Sequence, residues 1–259
     1  MAFHTFMGDS MTFSQRLNMT LKSPSLGIEN TSNDAATHAL SRRRFLGTTA
    51  AGLFAAASFD LFSAQPLPAQ SVLTPEAALK ELLDGNERFV SGSMTSFEQD
   101  LKILKEHTVD KQEPFAAVLS CADSRVPVEL IFDQSIGHIF VTRVAGNVIT
   151  PEIIASLEYG AAVLGTKVIL VLGHGSCGAV KAAIQGKEVP GQISALYPHI
   201  QPAIDRAGSD LTSAIKANAE IQAKLLQESS PVIAPMVKEK KLKVVAGVYD
   251  LGSGKVTLA

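Results

Sequence analysis

From Thr74 onward, runs of apolar residues at helical spacing alternate with short runs that are apolar throughout. Thr74-Pro75-Glu76 supplies an N-cap, a proline at the first helical position and an acidic first turn, and Ala78, Leu79, Leu82 and Leu83 follow on one face. The spacing predicts a helix there, and another over residues 100–107. Residues 115–120, read as Phe-Ala-Ala-Val-Leu-Ser, form a continuous apolar run of strand length. The alternation repeats: helical spacing over 127–132, a strand over 138–143, a helix over 151–164 and a wholly apolar strand over 168–172 that runs into Gly173-His174. After Gln192 the pattern is mostly helical to about Lys240. Residues 242–249 and 255–258 then read as a closing hairpin around the Leu251-Gly252-Ser253-Gly254 turn.

Continuous apolar strands separated by helices imply strands buried on both faces. The expected fold class is α/β, with a central, mainly parallel sheet flanked by helices. Ligand sites in such sheets lie beyond the carboxyl ends of the strands. One domain of this kind is expected over residues 70–259, with neither an internal repeat nor a long linker.

The remaining 69 residues at the front read differently. Residues 1–40 are a polar extension, and Met7, Met11 and Met19 are alternative starts. Residues 41–69 hold Arg42-Arg43-Arg44 followed by a small-residue apolar stretch from Phe45 to Phe59, which resembles a twin-arginine export signal. That stretch is shorter than the roughly 20 residues needed to span a bilayer, and Asp60 interrupts it. Cleavage after Ala64 or Ala69 would release the domain. The expected location is therefore periplasmic or otherwise extracytoplasmic, with membrane contact only through the signal and an anchored form if the signal stays uncleaved.

Composition narrows the partners. An apolar fraction of 46% with 19% charged residues is that of a globular chain, and a formal net charge of −2 gives phosphate no basic surface to bind. Nucleic acid is not an expected partner.

Candidate chemistry concentrates in two short stretches. Cys121-Ala122-Asp123-Ser124-Arg125 follows the first strand and Gly173-His174-Gly175-Ser176-Cys177 ends the third, and together they hold both cysteines of the chain. Two thiolates and an imidazole suit Zn²⁺, which is catalytic with three protein ligands and an open position and closed with four. Asp123 is the candidate fourth ligand. If Arg125 pairs with it in bidentate fashion, the carboxylate is held off the metal; if the pair breaks, Asp123 can close the site. Exported cysteines often form a disulfide, but here each thiol stands beside a further ligand type. Either motif alone also fits a bland reading, a capped turn or a helix start that packs a histidine.

Taken together, Cys-Ala-Asp-Ser-Arg and Gly-His-Gly-Ser-Cys-Gly, with Phe-Asp-Gln and Arg-x-Ala-Gly-Asn between them, resemble the β-class carbonic anhydrase family over roughly residues 74–258. The resemblance implies zinc-dependent, reversible hydration of carbon dioxide to bicarbonate and a proton, and a homodimer or higher even oligomer. It implies one Zn²⁺ per subunit on Cys121, His174 and Cys177, with Asp123 and Arg125 as the catalytic or gating pair. Gln112 matches a residue whose amide donates to substrate oxygen, and Phe140 and Tyr159 match positions lining a narrow apolar pocket. Some members hold an inhibitory bicarbonate in a pocket built with tryptophan; this chain has no tryptophan, so that control is not expected.

Three other readings stay open at this level. One is a carbon disulfide or carbonyl sulfide hydrolase on the same fold. Another is a non-catalytic zinc or bicarbonate binding module with Asp123 closing the site. The third is a thiol hydrolase using Cys177 with His174, which would leave Cys121 idle.

Overall fold

A computed structural model of the chain describes residues 71–96 and 108–259. The polar extension, the signal segment and the helix expected over 100–107 lie outside these residues. The described chain builds a five-stranded sheet of order β2-β1-β3-β4-β5, with β1 Ala116–Ser120, β2 Ile139–Arg143, β3 Val168–His174, β4 Lys243–Tyr249 and β5 Val256–Leu258. The first four strands are mutually parallel and β5 returns antiparallel to β4.

Every residue of β1 and β3 is buried, as continuous apolar runs require. Alternate side chains serve opposite faces. Val118, Leu170 and Leu172 pack with Leu82 of helix α1 (Pro75–Ser91) and Ile131 of the short helix α2 (Val128–Ile131). Ala117, Leu119, Ile169 and Val171 pack on the other side with Leu157 of α3 (Pro151–Glu158) and Leu226 of the long helix α6 (Leu211–Ser229). Helices α4 (Gly178–Gln185), α5 (Tyr197–Ala207) and α7 (Ile233–Lys238) complete the cover.

Local chemistry sets the ends of these elements. Thr74 Oγ1 accepts from the Ala77 amide at 3.2 Å and opens α1, and Gly92 at φ 71° closes it. Gly85 of α1 lies where a Cβ would come within 1.9 Å of the Phe132 carbonyl oxygen, so only glycine allows this close approach of α1 to the end of α2. Asn86 joins three elements: its Nδ2 donates to Ile131 O at 3.1 Å and Gly254 O at 2.9 Å, and its Oδ1 accepts from Val256 N at 2.8 Å.

Two boundaries differ from the sequence expectation. The helix expected over 151–164 is α-helical only to Glu158 and continues as a π-helical turn, Tyr159–Val163. At Gly160 in that turn a Cβ would stand 3.1 Å from the Phe140 ring. Strand β3 does not stop at Leu172, because Gly173 and His174 pair with Val248 and Tyr249 of β4 and carry the histidine out on the strand itself. Among the described residues, no helix is long and apolar enough to cross a membrane.

Candidate metal centre

The carboxyl ends of β1 and β3, neighbours in the sheet, bring the two motifs together. Cys121 is the first residue past β1, His174 the last of β3, and Cys177 caps the amino end of α4. All three are buried, and one ligand atom from each lies within 4.8 Å of the others. A tight turn makes this possible: Gly175 N donates to Tyr249 O at 2.9 Å, and Ser176 adopts a left-handed φ of 55° before the helix begins.

The imidazole has its orientation fixed. His174 Nδ1 lies 2.9 Å from Gly175 O, and a carbonyl can only accept, so Nδ1 carries the proton. That leaves Nε2 as a bare lone pair. It is fully buried and has no hydrogen-bond partner among the described residues, a costly arrangement unless a cation takes it. Both cysteines are free thiols, so no disulfide joins them.

The sulfurs interact strongly. Cys121 is drawn well below the ordinary thiol range by a hydrogen bond from the Cys177 thiol, helped by the Gly146 amide and opposed by burial. Cys177 is pushed up by the same bond and by burial, against amides of Val180 and Ala179 that face its sulfur. Two buried sulfurs and an unpartnered imidazole nitrogen, close enough to share one ion, fit Zn²⁺ by ligand softness and count.

Asp123 stands at the rim. Arg125 donates from Nε to Oδ1 at 2.9 Å and from Nη2 to Oδ2 at 2.8 Å, and its own amide adds a third bond to Oδ1 at 2.9 Å. Oδ2 is 3.8 Å from His174 Nε2, so the carboxylate neighbours the centre while both its oxygens are engaged by arginine. The Arg125 guanidinium holds this carboxyl well below the usual carboxylate range. Arg143 clasps the same loop from β2, donating from Nε to Cys121 O at 3.0 Å and from Nη2 to Asp123 O at 2.5 Å. Arg143 had no assigned role in the sequence, and only its place in the Arg-x-Ala-Gly-Asn segment marked it.

Gln112, Phe140 and Tyr159 are elsewhere. Phe140 pairs in register with Ala117, four residues before Cys121, about 13 Å back along the strand. Its ring is 6.2 Å from that of Tyr159, tilted by 46°. Tyr159 and Gln112 line a cavity of about 650 Å³ at the amino ends of β1 and β2, together with Val109, Ile136 and Val163. Within one chain these three residues cluster with one another and not with Cys121, His174 and Cys177.

A parallel sheet with a two-sulfur, one-imidazole set at its carboxyl edge defines an α/β protein with the ligand chemistry of a zinc centre. The family model described as carbonic anhydrase matches residues 116–256. The carbonic anhydrase of Mycolicibacterium smegmatis is 38% identical, over 71% of this chain and 93% of its own length. Carbonic anhydrase 2 of Mycobacterium tuberculosis is 34% identical, over 71% and 92%. Among solved structures, the Coccomyxa β-carbonic anhydrase in complex with acetazolamide is similar at a TM-score of 0.55 and 25% identity, over 70% of this chain and 85% of that one. The chain belongs to the carbonic anhydrase family, in its β class, and reversible hydration of carbon dioxide is its reaction.

Proposed function

We propose that the chain performs this reaction as a zinc enzyme whose metal is held by Cys121, His174 and Cys177, with Asp123 and Arg125 governing the open position. The observation that carries the reading is the buried, unpartnered Nε2 of His174 beside two sulfurs. When bound, zinc supplies the Lewis acidity that makes water a nucleophile near neutral pH. The protein supplies the rest. Arg125 engages both oxygens of Asp123, so three donors would hold the ion and one position would be left for water and substrate. Asp123, ionised and 3.8 Å from Nε2, is placed to accept a hydrogen bond from a group bound there and so to orient it. Two thiolates cancel the ion's formal charge, so activity rises with pH.

The same reading includes an even oligomer. Val109, Ile136, Tyr159 and Val163 leave an exposed apolar rim around the cavity that Gln112 lines. Gln112, Phe140 and Tyr159 are too far from their own chain's ligands to touch its substrate, and they serve catalysis only if a second copy brings its centre against this face. A neighbour in fold, from Sordaria macrospora, is described as tetrameric; at 22% identity and a TM-score of 0.56 over 70% of this chain and 95% of that one, it supports the architecture. We place the domain outside the cytoplasm on the strength of Arg42-Arg43-Arg44 and the apolar stretch behind them.

The test is carbon dioxide hydration at pH 8.5 by purified protein containing one zinc per chain. Stoichiometric zinc without activity sinks the catalytic reading. Four protein ligands on zinc at alkaline pH would replace it with a closed binding module.

A further inference from the structure

A chain of buried amides ends on the Cys121 sulfur. The Gly146 amide donates to Cys121 Sγ at 3.3 Å, and the Gly146 carbonyl accepts from Asn218 Nδ2 at 2.8 Å. Asn218 Oδ1 accepts in turn from Gln222 Nε2 at 3.2 Å, one turn along α6. Gln222 Nε2 also donates to His199 O at 2.9 Å, and its Oε1 accepts from Ile149 N at 2.8 Å. Asn218 and Gln222 are each 1% exposed.

Left alone, the segment these side chains hold would not keep its shape. Gly146 and Asn147 take left-handed φ values of 76° and 45° in succession, which glycine and asparagine reach readily but do not hold alone against the other conformations open to them. A Cβ at Gly146 would also stand 3.0 Å from Ile200 Cδ1. The carbonyl and the amide of one residue belong to adjacent peptide planes, so pinning the Gly146 carbonyl fixes the plane next to the donor. We infer that Asn218 is a positioning residue of the metal centre: it holds Gly146 so that its N–H is donated to the Cys121 thiolate, and Gln222 fixes the Asn218 amide. This rests on Cys121 being a ligand. A hydrogen bond to a ligating thiolate draws charge from sulfur, which tunes how strongly the metal is held and how acidic it is.

The experiment replaces zinc by cobalt(II) and reads the sulfur-to-cobalt charge-transfer band, alongside zinc release to a chelator. In Asn218→Ala the band moves to longer wavelength, because the sulfur has lost a donor, and zinc leaves on the order of 10-fold faster. Asn218→Leu has nearly the same size, adds no charge and lacks the donor to Gly146; it shows the same displacement and serves where the alanine variant does not fold. Ser230→Ala is the control. It removes a buried hydroxyl that bonds Glu158 and Ile233 N, outside this chain of contacts, so it lowers the melting temperature without moving the band. An unmoved band in both Asn218 variants, with melting lowered as in the control, overturns the inference. A parent protein that takes up no metal defeats the reading of the centre itself, a distinguishable result.

Discussion

Asp123 and Arg125, two residues apart in sequence, are joined by three hydrogen bonds that occupy both carboxylate oxygens, at 2.8 to 2.9 Å. Because one of those oxygens is also 3.8 Å from the metal-facing nitrogen of His174, the pair stands between a three-ligand and a four-ligand centre. Cutting the arginine to alanine frees the carboxylate without removing a ligand. Arg125→Ala should keep its zinc, by elemental analysis, and lose carbon dioxide hydration by roughly 100-fold or more, the scale of a misplaced reacting group.

The pH behaviour follows from the same pair. Arg125 depresses the Asp123 carboxyl, so the favourable pairing is fully present above the ordinary carboxylate range and is lost only as pH falls through the depressed value. Asp123 therefore stays ionised throughout pH 6 to 9. A rise of activity across that window has another group as its origin. Infrared difference spectra of parent against Asp123→Asn should show no protonated carboxyl from Asp123 at any pH above about 4. A protonated band at pH 7 would contradict this.

Separation of Gln112 from the metal ligands gives a complementation test. Gln112→Ala and Cys177→Ser should each be nearly inactive as pure proteins. When the two are unfolded together and refolded as a mixture, hybrids that carry one intact centre facing one intact Gln112 should recover activity, up to about a quarter of the parent if subunits pair at random and each intact site works alone. Recovery no greater than the sum of the two separate preparations would place Gln112 outside catalysis.

Away from the centre, Asp133 is a buried carboxylate that accepts from Arg88 Nε at 2.6 Å, from the amides of Thr95 and Ser96 at 3.0 and 3.1 Å, and from the Ser96 hydroxyl. Burial works to raise its pKa, but these donors, Arg88 foremost, outweigh it and leave the group well below the usual carboxylate range. The depressed value means stability present at neutral pH and lost as the solution turns acidic. Asp133→Ala should lower unfolding free energy by about 3 kcal/mol, since it strands several donors at once. Urea unfolding at pH 7 measures it, and the deficit should shrink toward pH 3.

Much of this was readable along the chain, for identifiable reasons. Strands β1 and β3 are buried on both faces, so their sequences are unbroken apolar runs, and both metal motifs fall at their ends. The Asp123–Arg125 pair was legible because its partners are two residues apart. The π-helical turn at Tyr159 was not, because its apolar spacing is compatible with a continuing α-helix. Nor was the amide chain through Asn218, whose bond to Gly146 spans 72 residues and leaves no periodic trace. Gln112 illustrates a different limit: the apolar run over 115–120 already puts it at the amino end of β1, opposite Cys121, and one chain's sequence does not say what faces that end.

The proposed ligands come from the ends of two adjacent strands, with Cys121 and His174 separated by roughly fifty residues of chain. A metal ion shared between them is therefore a cross-link, closing a loop that contains α2, β2, α3 and most of β3. By the entropy of loop closure, a covalent tie of that span restricts the unfolded chain by about 4 kcal/mol, and zinc acts in the same sense for as long as it is bound. Zinc bound there would thus also be a clasp on the sheet, and chelation should loosen the fold as well as silence the enzyme.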